Sequence, residues 1–114
     1  MFELLEPFVG YVDGASHSTH NLSCTMWAIF ALNSELVRFQ GIRISRSTKN
    51  IAEYSTLIEL LSDAISFGIN RIIIRLDSQL VVLQLTGVYT VRNLTLHRLF
   101  LRVPLLERHF DFIQ

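Results

Sequence analysis

Asp13, Glu53 and Asp77 are the residues of this chain whose types and settings could do chemistry together. Asp13 closes an apolar, strand-like run inside Phe8 to Ser16 (Phe-Val-Gly-Tyr-Val-Asp-Gly-Ala-Ser), Asp77 closes a second such run at Arg71 to Leu76, and Glu53 stands near the start of the strongest helical pattern. Each has an ordinary reading alone. Asp13-Gly14 is a turn signal, Glu53 follows Asn50 at capping-box spacing, and Asp77 suits a helix N-cap. Together they read differently. If the two strands run side by side in parallel, their backbones are about 5 Å apart, and the start of the Glu53 helix lies above both ends. Carboxylates crowded in this way repel one another, and a divalent cation is the usual relief.

The elements that must position these acids follow from periodicity. Residues 8 to 16, 24 to 32 and 36 to 45 read as strands, with Asn33-Ser34 as a tight connection, which makes an antiparallel meander. Tyr54, Leu57, Ile58, Leu61, Ala64 and Ile65 then recur at helical spacing, opposite Ser55, Glu59, Ser62 and Asp63. Asn50 is placed to cap this helix and Gly68 to stop it. The strand at 71 to 76 follows strand and helix, so a parallel crossover is expected. A short helix from Ser78 to Leu85 ends at Gly87. A further helix spans 93 to 107 with Leu96, Leu99, Phe100, Val103 and Leu106 inward, and Pro104 should kink or break it near the Phe100 carbonyl. Residues 110 to 114 alternate as a last strand.

Composition narrows the class. The 114 residues are half hydrophobic, enough for one domain with a real core. No apolar run reaches the ~18 residues of a membrane span, and the acidic opening Met-Phe-Glu-Leu-Leu-Glu is unlike a signal peptide. A soluble intracellular protein, in cytoplasm or nucleus and without a membrane partner, is expected. Cys24 is the lone cysteine, so an internal disulfide is excluded and a reducing compartment fits. His17 and His20 lie in a polar segment and lack further ligands, which favours a surface loop. Residues 1 to 37 carry no Lys or Arg, whereas Arg38, Arg43, Arg46 and Lys49 form a stretch without acids. That stretch suits either phosphate oxygens or a charged strand edge that resists aggregation.

In Tyr11-Val-Asp-Gly-Ala-Ser16, Asn50-Ile-Ala-Glu-Tyr54, Leu76-Asp-Ser-Gln-Leu-Val81 and Gly87 to Asn93 the chain resembles the type 1 ribonuclease H domain, in the variant found in plant gypsy-type retrotransposons and reverse-transcriptase-like proteins. The resemblance spans Phe8 to the last residue. It implies an α/β fold, a mixed five-stranded sheet of order 3-2-1-4-5 with helices on both faces, and a single domain over 1–114 from which the family's final helix is missing. It further implies Mg²⁺-dependent hydrolysis of the RNA strand of RNA–DNA hybrids, with Mn²⁺ as a substitute. Asp13, Glu53 and Asp77 match three of the family's four metal-binding, catalytic carboxylates. Gly14, Ser16, Asn50 and Gln79 match positions that contact the hybrid, partly through 2′-hydroxyls.

The chain departs from the family pattern in three respects. The fourth carboxylate has no counterpart, since Asp111 falls inside the last strand and Asp63 two to three helical turns beyond Glu53. The Gly-rich loop common after the first strand is here His17 to Ser23. Pro104 sits within a helix, at a cost of about 3 kcal/mol relative to Ala. A surface left bare by the missing helix would favour a homodimer. Two other readings therefore stand beside the nuclease: an inactive remnant that binds nucleic acid or dimerises, and a plain α/β domain whose acids are caps and turn residues.

Overall fold

The computed structural model describes residues 7–17, 22–31, 35–45, 49–76 and 78–113. Strands β1 (Phe8–His17), β2 (Leu22–Phe30) and β3 (Leu36–Ser45) precede helix α1 (Lys49–Phe67). Strand β4 (Arg71–Leu76), helices α2 (Gln79–Leu85) and α3 (Leu94–Glu107) and the two-residue β5 (Phe112–Ile113) follow.

Four full strands form the body of the sheet in the order β3-β2-β1-β4, and β5 adds a short pairing at the β4 edge, Arg71 with Phe112 and Ile72 with Ile113. The meander is antiparallel, with Val12 opposite Trp27 and Trp27 opposite Gln40. The crossover through α1 is parallel, from Phe8 opposite Ile72 to Val12 opposite Leu76. The last strand is shorter than the alternation at 110 to 114 predicts, because Phe110 is buried in the core instead of laddered. Asp111 there donates its N–H to the Asn70 carbonyl at 2.7 Å.

The period of two in β1 decides which face carries the core. Val12 and Gly10 turn inward, level with the buried Trp27 and Ile29 of β2. On that face α1 lays down Tyr54, Leu57, Leu60, Leu61 and Ala64, all buried. Each large apolar side chain so buried contributes roughly 1.5–3 kcal/mol. Gly10 is what lets the helix approach, since a Cβ there would lie 3.1 Å from Leu60 Cδ1 and 3.2 Å from Ile74 Cδ1. Gly68 ends α1 in the left-handed region at φ +88°, as the sequence leads one to expect.

Four expectations are corrected. Helix α1 begins at Lys49, so Asn50 lies in its first turn and is not its cap. Ser78, not Asp77, caps α2: its hydroxyl accepts the Val81 N–H at 3.3 Å. Helix α3 keeps its expected extent to Glu107 but is not broken at Pro104, and it is held at its start by Asn93, whose side chain accepts the Leu96 N–H at 3.0 Å. Finally, the described helices share one face of the sheet, where α1 contacts β1 and β2 and α3 packs on α1. On the opposite face Tyr11, Met26 and Phe39 are exposed, and Tyr11 meets Phe30 edge-on at 5.6 Å. The Asn33-Ser34 connection and His20 lie outside the described residues, as does the side chain of His17.

Candidate active site

The parallel pairing of β1 with β4 ends at Val12 opposite Leu76, the residues immediately before Asp13 and Asp77. Both candidate acids thus follow the same rung of the ladder. Asp13 continues in β1, its backbone opposite Met26 of β2, while its side chain lies outside the described residues. Asp77 lies outside them entirely.

Of the three acids, Glu53 is the one whose side chain lies among the described residues. Its side chain is wholly buried near the start of α1, and its Oε1 accepts the backbone N–H of Ser78 at 2.7 Å. Ser78 is the residue directly after Asp77. Its hydroxyl also donates to Asn50 Oδ1 at 3.2 Å, so Ser78 joins the first turns of α1 to the start of α2 through both of its polar groups. A second buried link lies one residue along α1, where the Tyr54 hydroxyl donates to Gln84 Oε1 of α2 at 2.8 Å. Burial pushes the Tyr54 phenol up to about 12.

Sequence reasoning passed over Ser78, Tyr54 and Gln84. The signal for Ser78 was its place in front of a helical run, where serine caps well. Tyr54 and Gln84 gave no comparable sign, since their contact spans two helices. Among the remaining candidates, Gln79 is exposed at the start of α2 and Asn50 is half-buried. Gly14 and Ser16 take their places in β1 opposite Thr25 and Ser23.

The two acids considered for a fourth carboxylate are committed elsewhere. Asp63 pairs with Arg38 of β3, whose Nη2 donates to it at 2.9 Å and whose Nε also bonds to it. The same guanidinium lies 5.2 Å from the Phe67 ring, so Arg38 clamps the sheet edge to α1. Asp111 accepts from the Asn70 amide at 3.1 Å, at the opposite end of β4 from Asp77. Six residues of strand separate those ends by roughly 20 Å. The rest of the basic stretch is not defined at side-chain level: Arg43 is placed in β3 by its backbone, Arg46 lies outside the described residues, and Lys49 opens α1.

Among the described residues no three His, Cys, Asp or Glu side chains gather where they could hold a metal ion. The fit of a metal therefore rests on the donor set. Asp13, Glu53 and Asp77 offer hard carboxylate oxygens, the donors that Mg²⁺ and Mn²⁺ take.

This fold, a strand meander joined through a crossover helix to a parallel fourth strand beside the first, is the mixed α/β fold of ribonuclease H. It superimposes with a TM-score of 0.87 on the crystal structure of RNase H1 from the halophilic archaeon Halobacterium salinarum, at 36% identity over 94% of this chain and 81% of that one. Residues 11–114 match the Reverse transcriptase-like family, and the chain belongs to it. Ribonuclease HI of Halobacterium salinarum is 38% identical over 101 residues, which are 89% of this chain and 51% of that protein. The chain thus spans about half the length of this curated relative. LC11-RNase H1, crystallised in complex with an RNA/DNA hybrid, shares the fold with a TM-score of 0.84 and 25% identity, over 93% of this chain and 81% of that one.

Proposed function

We propose that this chain is a ribonuclease H domain that hydrolyses the RNA strand of RNA–DNA hybrids, with Asp13, Glu53 and Asp77 as the carboxylates that hold Mg²⁺, or Mn²⁺ in its place. The observation that carries the reading is the hydrogen bond from the Ser78 N–H to Glu53. It fixes a buried acid of α1 beside the residue that follows Asp77, next to the rung from which Asp13 also leaves. Family membership and the likeness to a ribonuclease HI support the same assignment.

Bound by these acids, divalent ions would activate a water and stabilise the oxygen that leaves the scissile phosphate. The chain's own part is to hold and orient. Asp13 and Asp77 would hold the water-activating ion from adjacent strands, and Glu53 would reach the second ion together with Asp13. Asn50 accepts from Ser78 through its carbonyl oxygen, which orients its amide group as a donor toward the hybrid. Gln79 projects from the exposed start of α2, and Gly14 and Ser16 would meet the hybrid from β1. Recognition of this kind reads backbone and 2′-hydroxyls, not base sequence. The motifs at Tyr11 to Ser16 and Gly87 to Asn93 favour a retroelement lineage of plant gypsy type. The lone Cys24 suits the reducing cytoplasm or nucleus.

The test is cleavage of an RNA-labelled hybrid by this chain, with Mg²⁺ and then Mn²⁺, beside its Asp13→Asn variant. Cleavage that the substitution abolishes supports the proposal. A second reading, a remnant that binds hybrid or self-associates without turnover, is favoured by the exposed sheet face of Tyr11, Met26 and Phe39. Hybrid binding by a folded chain that never cleaves, with Asp13→Asn behaving as the parent, would establish that reading instead.

A further inference from the structure

Away from the carboxylates, α1, α2, α3 and β4 enclose an apolar cavity of about 200 Å³ that opens to solvent. Leu57, Ile74, Val82 and Val103 contribute to its walls. Glu107, the last residue of α3, is the one acid among its described lining residues. An apolar cavity of ~150 Å³ already admits benzene, so this one holds a ring with a short substituent.

The acid is poorly served by its setting. An ionised carboxylate against apolar walls loses hydration, and at the C-terminal end of a helix it also meets the negative end of the macrodipole. Among the described residues Glu107 has no ion pair, and the neighbouring Arg108 is exposed. Burial holds its carboxyl above the usual carboxylate range. A cation with an apolar body would relieve the charge and fill the space in one step.

We propose that this cavity is a binding site for a small amphipathic amine, whose ammonium group pairs with Glu107 and whose apolar body packs against Leu57, Ile74 and Val103. The inference stands independently of the nuclease assignment. Its bearing on that assignment is positional: Leu76, also in the lining, directly precedes Asp77, and Val82 belongs to α2, the helix that Ser78 caps.

Benzylamine is the probe, compared with benzyl alcohol and benzoate of nearly the same shape, by thermal shift and amide NMR on the whole chain. Benzylamine should raise Tm and shift the amides of cavity residues, with benzyl alcohol binding about tenfold more weakly, as loss of a charge-assisted bond predicts. Benzoate should not bind. Glu107→Gln, which changes charge but little volume, should reduce benzylamine to the affinity of the alcohol. Val82→Phe, at the more exposed rim, should block both. Equal binding of amine and alcohol, an undiminished affinity in Glu107→Gln, or no binding of benzylamine would each overturn the proposal.

Discussion

The carboxylate of Glu53 and the backbone N–H of Ser78, 25 residues apart in sequence, lie 2.7 Å from each other in the core. This contact sets where α1 starts relative to the end of β4, and the three candidate metal ligands depend on that placement. Ser78 is thereby a positioning residue: it touches Glu53 through its N–H and Asn50 through its hydroxyl, and it caps α2.

Ser78→Ala keeps the N–H but loses the hydroxyl. The expected loss is about 1 kcal/mol from the N-cap, read as a lower urea midpoint with an unchanged m-value. Hybrid cleavage should fall as the α2 start loosens, and Ser78→Thr, which restores a capping hydroxyl, should recover much of it. Full activity in the Ala variant would show that the hydroxyl positions nothing.

Tyr54→Phe would leave Gln84 Oε1 buried without its donor, at a cost of ~1–3 kcal/mol. The substitution also changes the alkaline limb of stability. The folded-state phenol titrates at about 12, above its unfolded value of 10.0, so its contribution is full below about 10 and is lost as pH rises through about 12. The Phe variant should lack this loss, which denaturation curves across that range would reveal.

Glu107 follows the same rule at the acid end. Its folded carboxyl lies above the usual range, so the folded chain binds that proton more tightly than the unfolded one. Its stabilising contribution is full below the unfolded value near ~4.3 and is lost as pH rises through the folded value. Glu107→Gln should therefore gain in Tm over the parent at about neutral pH and lose that advantage near pH ~4. Calorimetry at the two pH values distinguishes this from a pH-independent packing effect.

The sheet and its crossover were legible in the sequence because they are written in local periods. The alternation in Leu36–Ser45 and the 3.6-residue period behind Leu57, Leu61 and Ala64 do not depend on what lies opposite. What was illegible depends on distant partners. Asn50 and Glu53 have capping-box spacing, yet the helix starts two residues too early for that box, and Ser78 takes both side chains. Asp77 and Ser78 are both good caps, and the extended backbone of Ser78, φ −81° and ψ 115°, assigns the role to it. Arg38 reads as part of a basic stretch until Asp63, a helix away, is seen to hold it. Pro104 costs α3 the N–H that the Phe100 carbonyl would accept, but Val103 beside it is buried in the core, and packing on α1 carries the helix through.

The central claim is that Asp13, Glu53 and Asp77 converge on one divalent-cation site, and anomalous diffraction from crystals of this chain grown with Mn²⁺ tests it most directly. The account predicts an anomalous peak in contact with the carboxylates of Asp13 and Asp77, on the side where Glu53 is held by Ser78. Well-ordered Asp13 and Asp77 side chains that point apart, or a Mn²⁺ peak bound only elsewhere, would contradict it.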